Sequence, residues 1–182
     1  MSLSSTEPTS DQLNALVAKQ AIRDVLFRYC RGVDRCHVGT IASAFHSDAY
    51  SGPYNLRGNR AIAEAIVAQV TDHALSCSHF IGNILIELKG EFAWVETYFI
   101  AYHQIILDGK EFTRTRQGRY LDLFECREQR WGISERASVT DWSRLDVVER
   151  EAPNSETWIR GERGLSDPVF ARRPIEFGPW VP

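Results

Sequence analysis

Apolar residues recur at intervals of three and four over roughly the first third of the chain and at intervals of two thereafter, which divides it into a helical part and a strand part. Leu13, Leu16, Val17, Ile22, Val25, Leu26, Tyr29 and Val33 form one stripe. Their spacing predicts a helix over about 11–32, capped by Ser10 or Asp11, with one face in the core. Gly32 falls near its end and Asp34 just beyond. A second helix is expected over about 38–46, with Ile41, Ala44 and Phe45 inward. A third runs from Asn59, its cap, to about Thr71, with Ile62, Ile66 and Val70 inward. Between them Gly52, Pro53 and Gly58 mark 47–58 as a loop or a short irregular strand.

From Ser78 onward the period is two, with Ile84, Ile86 and Leu88 facing one way and Ile81, Asn83 and Leu85 the other. Further strands are expected over about 92–106, 111–125 and 131–141. The dipeptide Asp108-Gly109 between two such runs is a strong hairpin signal, and Arg127 to Arg130 make a polar turn. Three helices followed by an antiparallel meander predict an α+β domain over about 10–146. In it the helices cover one face of a strongly bent, mainly antiparallel sheet, and a pocket can lie between the layers. Residues 1–9, rich in Ser, Thr and Pro, are read as a disordered N-terminus. Residues 147–182, with five prolines and little periodicity, are read as an irregular tail packed over the domain or over a neighbouring subunit.

A length of 182 residues with 43% apolar and 25% charged content suits one domain with a single core. A net charge of −3 gives no general electrostatic reason for binding nucleic acid or an anionic membrane, which usually call for a clustered basic face, so a small molecule is the expected partner. No apolar run approaches the ~18 residues of a membrane span, and the first residues lack the basic and apolar regions of a secretory leader. The cytoplasm is therefore the default expectation, with Cys30, Cys36, Cys77 and Cys126 reduced and packed. The spacing of Cys30, Cys36, His37 and His46 fits no zinc pattern, and dinucleotide, P-loop, zinc-protease and nucleophile-elbow motifs are missing, so those readings have no support.

Two segments carry candidate chemistry: Tyr29-Cys30-Arg31-Gly32-Val33-Asp34 and Ser78-His79-Phe80-Ile81-Gly82-Asn83. They supply a carboxylate and an imidazole at points where the chain changes direction. That is the minimum equipment for proton abstraction: a histidine to take the proton and an aspartate to hold its tautomer and stabilise the imidazolium. The ordinary alternatives are a capping or turn role for Asp34 and a half-buried structural histidine at 79.

With Ala44-Phe45-His46-Ser47-Asp48-Ala49, Gly118-Arg119-Tyr120-Leu121-Asp122-Leu123-Phe124-Glu125, Trp131-Gly132-Ile133-Ser134-Glu135-Arg136 and Asp141-Trp142, these segments resemble the SnoaL-like branch of the nuclear-transport-factor-2-like superfamily. The resemblance covers about 10–145 and implies a cone of helices closed by a curved sheet. Within the superfamily the chain looks closest to the elimination enzymes scytalone dehydratase, hexachlorocyclohexane dehydrochlorinase and bile-acid 7α-dehydratase. Their Asp at the end of the first helix and His at the start of the first long strand match Asp34 and His79. A Tyr five residues before the Asp and an Arg on a late strand of the bile-acid enzyme match Tyr29 and Arg136.

The resemblance implies cofactor-free β-elimination, of water or halide, from a small, largely apolar cyclic substrate. His79 would be the base and Asp34 its orienting partner, with Tyr29 and Arg136 donating hydrogen bonds to the departing or enolising oxygen. A core tyrosine and a structural salt bridge are the alternatives for Tyr29 and Arg136. Tyr54, Tyr98 and Tyr102 are candidate substrate-lining residues; Trp94, Tyr98 and Tyr102 share one strand face, which as a plain packed surface needs no ligand. His46 and His103 are read as ordinary surface or core residues. The same cone would also suit an isomerase or polyketide-cyclase-type enolisation, or a non-catalytic binding or assembly subunit like those of ring-hydroxylating dioxygenases. Relatives of this kind associate through the open sheet face, so a homo-oligomer is expected, a trimer before a dimer.

Overall fold

The computed structural model describes residues 7–149, 159–171 and 174. Helices α1 (Ser10–Asp34), α2 (Val38–Ser43) and α3 (Asn59–His73) pack on six strands: β1 (Phe45–Ser51), β2 (Leu56–Arg57), β3 (Ser76–Lys89), β4 (Phe92–Leu107), β5 (Lys110–Arg127) and β6 (Arg130–Val147). The sheet runs in the order β2-β1-β6-β5-β4-β3; only the β1–β6 pair is parallel. The result is the expected α+β architecture, three helices against a curved, unclosed sheet. Ile22 and Leu26 of α1, Ile41 of α2, Ile62 of α3, Phe45 of β1, Phe124 of β5 and Ile133 of β6 are fully enclosed between the layers.

Local chemistry moves several expected boundaries. The cap of α1 is Thr9: its hydroxyl accepts from the Gln12 amide at 3.2 Å while the Gln12 side chain accepts from the Thr9 amide at 2.9 Å, a reciprocal capping box. The apolar stripe is buried only from Ile22 onward. Leu13, Leu16 and Val17 lie on an overhanging first half of α1 and are exposed. Helix α2 stops at Ser43, and Phe45, expected at a helix end, instead opens β1 beside Ile133 of β6. The segment 47–58, expected to be a loop or a short irregular strand, holds most of β1 and the two-residue β2. Gly58, at φ 93°, rather than Asn59, caps α3, a backbone conformation that glycine adopts without steric cost.

In β3 an irregularity between Ile81 and Ile84 adds a residue, so Ile81 joins Ile84, Ile86 and Leu88 against the core instead of facing away from them. Asp108 and Gly109 both take positive φ in the β4–β5 turn, as the hairpin signal predicts. Strand β6 continues to Val147, beyond the expected end.

Part of the C-terminal segment lies on the body of its own chain. The Gly164 amide donates to the Arg35 carbonyl at 2.7 Å, Arg163 Nη2 to the Ala74 carbonyl at 2.6 Å, and Arg35 pairs with Asp167 at 3.1 Å. A 3-10 turn (Gly164–Ser166) and a short helix α4 (Pro168–Ala171) shape this stretch. The expectations for 1–6, 150–158 and 175–182 fall outside the described residues. All four cysteines are free, and among the described residues no helix is long and apolar enough to cross a membrane.

Candidate active site

The end of α1 and the start of β3 bring together the two groups that the sequence singles out. Asp34, the last residue of α1, accepts from His79 twice: Oδ1 from ring Nδ1 at 2.7 Å and Oδ2 from the backbone amide at 3.2 Å. The carboxylate therefore fixes both the ring and its strand. With Nδ1 facing a carboxylate, the hydrogen-bond network assigns the proton there and leaves the Nε2 lone pair free. Both side chains are largely shielded from solvent. Gly32 makes the arrangement possible, because a Cβ there would lie 2.9 Å from the Ile41 backbone nitrogen and push α2 away from the helix end.

His79 opens onto a cavity of about 380 Å³ between helices and sheet, lined among others by Tyr29, Tyr54, Phe99, His103, Tyr120 and Arg136. That size is within the usual range for small-molecule sites. Asp34 lies behind the histidine, on a second hollow shared with Phe27, Cys30 and Ile81.

Arg136 of β6 is held in one orientation. Its Nε and Nη2 donate to the two Asp122 oxygens at 2.7 Å each, and the guanidinium lies 4.1 Å from the Tyr29 ring centroid and 4.2 Å from that of Tyr120. Burial alone would lower the Arg136 pKa, but the Asp122 charge and hydrogen bonds outweigh it and hold it above the ordinary value. Both readings of this residue thus meet: it forms a buried salt bridge and lines the cavity. Nη1 is buried without a hydrogen-bond partner among the described residues, a donor left over for something in the cavity. Tyr29 packs against Arg136, Phe45 and Tyr120, and burial raises its pKa, so the hydroxyl stays protonated. It too combines the core role with a place in the cavity wall.

Of the three tyrosines expected to line the site, only Tyr54 does so, its hydroxyl donating to the Gln69 side-chain oxygen. Tyr98 and Tyr102 face the opposite side of the sheet: Tyr98 lies beneath the Arg119 guanidinium, and Tyr102 meets Phe80 edge to face. The reason is strand parity. Ala93, Val95, Thr97, Phe99, Ala101 and Ile105 are the buried positions of β4, so the aromatic set one residue out of phase must point outward.

That parity also brings His103, read as an ordinary residue, into the cavity wall, its ring centroid 5.8 Å from that of His79. Burial, then His79, Arg116 and Arg114, lower its pKa to about 4. His46 is buried as a core residue, its Nε2 3.0 Å from the Glu125 carbonyl oxygen. The signal that could have found His103 is its alternation with the small residues Ala93 and Ala101, which suit the concave face of a bent sheet better than tryptophan or tyrosine.

The donor atoms of Asp34, Cys77 and His79 lie within 4.8 Å of one another, close enough for an ion. Their chemistry suits the dyad better. Burial pushes the Cys77 thiol up to about 12, its sulfur donates to the Val33 carbonyl at 3.6 Å, and both Asp34 oxygens are engaged by His79.

A helix-capped, curved sheet with such a pocket is the architecture of the nuclear-transport-factor-2-like proteins. A match over residues 14–137 to the SnoaL-like domain establishes that the chain belongs to that family. Its structure is similar to a protein described as a putative scytalone dehydratase from Novosphingobium aromaticivorans, at 21% identity and a TM-score of 0.62, covering 80% of this chain and 97% of that one. It also resembles a hexachlorocyclohexane dehydrochlorinase of type 2, at 18% identity, TM-score 0.69, 78% and 97% coverage. A type 3 dehydrochlorinase from Novosphingobium barchaimii gives 17%, 0.69, 78% and 98%. Among curated proteins none matches.

Proposed function

We propose that this chain is a cofactor-independent lyase that removes water or halide from a small, largely apolar cyclic substrate, with His79 as general base. The observation that carries the reading is the 2.7 Å contact of His79 Nδ1 with Asp34 Oδ1 on a ring that lines a cavity of about 380 Å³. Dehydratase and dehydrochlorinase neighbours of the same fold support a function of this class.

In the proposed reaction Nε2 removes a proton from a carbon next to a carbonyl, or next to the carbon bearing halide. Asp34 stabilises the imidazolium that forms. The electron pair of the broken C–H bond becomes the new double bond as the C–O or C–halogen bond breaks. Developing negative charge is met by the free Nη1 donor of Arg136 and the protonated Tyr29 hydroxyl. For a dehydration, His79 returns its proton to the departing oxygen, which leaves as water and restores the neutral base. In a dehydrohalogenation the proton passes to solvent.

A screen of cyclic β-hydroxy ketones and chlorinated rings, followed by product analysis, tests the reading. His79→Gln and Asp34→Asn are each expected to lose about 100-fold or more in kcat, the usual worth of a positioned acid or base, with circular dichroism unchanged. Full turnover in both variants would sink the dyad. A product with shifted unsaturation and no expelled group would replace elimination by isomerisation in the same pocket.

A further inference from the structure

The described cavity wall carries arginine and imidazole groups and no carboxylate. Among the described residues its lining includes Arg114, Arg116, Arg136, His73, His79 and His103 and neither aspartate nor glutamate. Two of these already have an anionic partner: Arg136 is neutralised by Asp122 and His79 is held by Asp34. Arg114 and Arg116 have no ion pair among the described residues, and the hydrogen bond of Arg116 goes to a neutral group, Thr140 Oγ1 at 2.8 Å. Elsewhere on the same strand, by contrast, Arg119 is paired with both Glu96 and Asp141.

Register brings these groups onto one patch. His79 of β3, Ala101 of β4 and Arg116 of β5 share a rung, and Cys77, His103 and Arg114 share the rung two residues along. Strands stand about 4.8 Å apart, so the Arg116 backbone lies two strands, about 10 Å, from that of His79. His103 stands between base and arginines, and its Nδ1 is buried without a hydrogen-bond partner among the described residues. Ala101, the small residue of the first rung, leaves the space between them open.

We propose that Arg114 and Arg116, with His103, form an anion subsite that holds a carboxylate of the substrate, so that the natural ligand is a cyclic carboxylic acid rather than a neutral ring. The inference rests on the reading of this cavity as the substrate site. Two guanidinium groups present planar donor forks that match a carboxylate, and their attraction for an anion at this partly open site is strong enough to select it yet still reached by salt. The buried His103 nitrogen supplies one further polar partner. Anchored there, the ring spans the gap above Ala101 and its reacting carbon comes to His79, while the Arg136 Nη1 donor remains for charge that develops later. The subsite therefore sets which substrate is held and in which direction it points.

Calorimetric titration of the full-length protein with benzoate and cyclohexanecarboxylate, each against its neutral carboxamide and against inorganic phosphate, tests this. Both acids are expected to bind about tenfold or more tightly than their amides, the usual gain from hydrogen bonds to a charged group. Arg114→Gln and Arg116→Gln should each remove most of that preference, and Arg114→Lys should restore part of it. Added salt should weaken the acids and leave the amides alone, a readout that needs no variant to fold. His79→Gln, lacking the base, should still prefer the acids, so loss of turnover and loss of anion binding are separable. Equal binding of acids and amides, no binding of either acid at millimolar concentration, a preference that survives both arginine substitutions, or phosphate binding as well as the acids would each overturn the proposal.

Discussion

Burial, His79 of β3 and Arg116 and Arg114 of β5 all disfavour the protonated form of His103, and Asp34 at the end of α1 is the opposing charge. Its folded-state pKa of about 4 lies below the ordinary imidazole value of 6.5. Between those two pH values the unfolded chain binds more protons than the folded one, so stability rises with pH there and is complete above about 6.5. From pH 7 down to pH 5 the wild type should lose about 2 kcal/mol through this one group. His103→Asn should lose correspondingly less over the same range, measured by urea unfolding at the two pH values. Identical losses in both proteins would mean that the His103 ring is solvated and not set among these charges.

The sheet pairing is irregular in places, and Gly118 of β5 stands beside one such irregularity, where β6 carries an extra residue. The β5–β6 register shifts between Gln117 and Gly118, and a Cβ at Gly118 would lie 2.0 Å from the Val139 carbonyl oxygen. The obstacle is backbone, which cannot swing aside as a side chain would. Gly118→Ala should therefore destabilise by roughly 2 kcal/mol or more, the cost of forcing atoms into a filled space, read as a lower urea midpoint; an unchanged midpoint would show that the strands slide freely. The same feature explains what the sequence could and could not show. Helices α1 and α3, the hairpin at Asp108-Gly109 and the Asp34–His79 pair are legible because local periodicity, turn chemistry and matching motifs specify them. Bulges are not marked by periodicity, so strict alternation places Ile81 on the wrong face. The pairing of Asp122 with Arg136 depends on register across the β5–β6 hairpin, which spacing alone does not specify. Aromatic character points to Tyr98 and Tyr102, whereas strand parity puts His103 in the cavity wall. The stripe of α1 predicts a buried face along its whole length, yet the described sheet does not reach Leu13, Leu16 or Val17.

At the scale of the molecule the two faces of the sheet have different tasks. The concave face closes over the cavity. On the convex face Phe80, Ile100, Gln117 and Trp142 fall on one rung across β3, β4, β5 and β6, with Tyr102 packed edge to face on Phe80 and Trp94 half exposed farther along β4. Phe80 is 61% and Trp142 44% exposed. An exposed, largely apolar row of this kind, interrupted by Gln117, suits an association surface, and the ion-paired Arg119, Glu96 and Asp141 beside it would supply the polar rim such surfaces have. We propose that this face is buried between copies of the chain; the preference for a trimer over a dimer comes only from the family resemblance. Sedimentation equilibrium should give a mass near a multiple of the 20.7 kDa chain. Ile100→Glu, which places a charge at the centre of the row and away from the cavity, should yield a folded species of single-chain mass. A wild type that sediments as one chain would reject the interface. An assembly that survives Ile100→Glu would move it elsewhere, with the exposed Leu13, Leu16 and Val17 of α1 as the next surface to substitute.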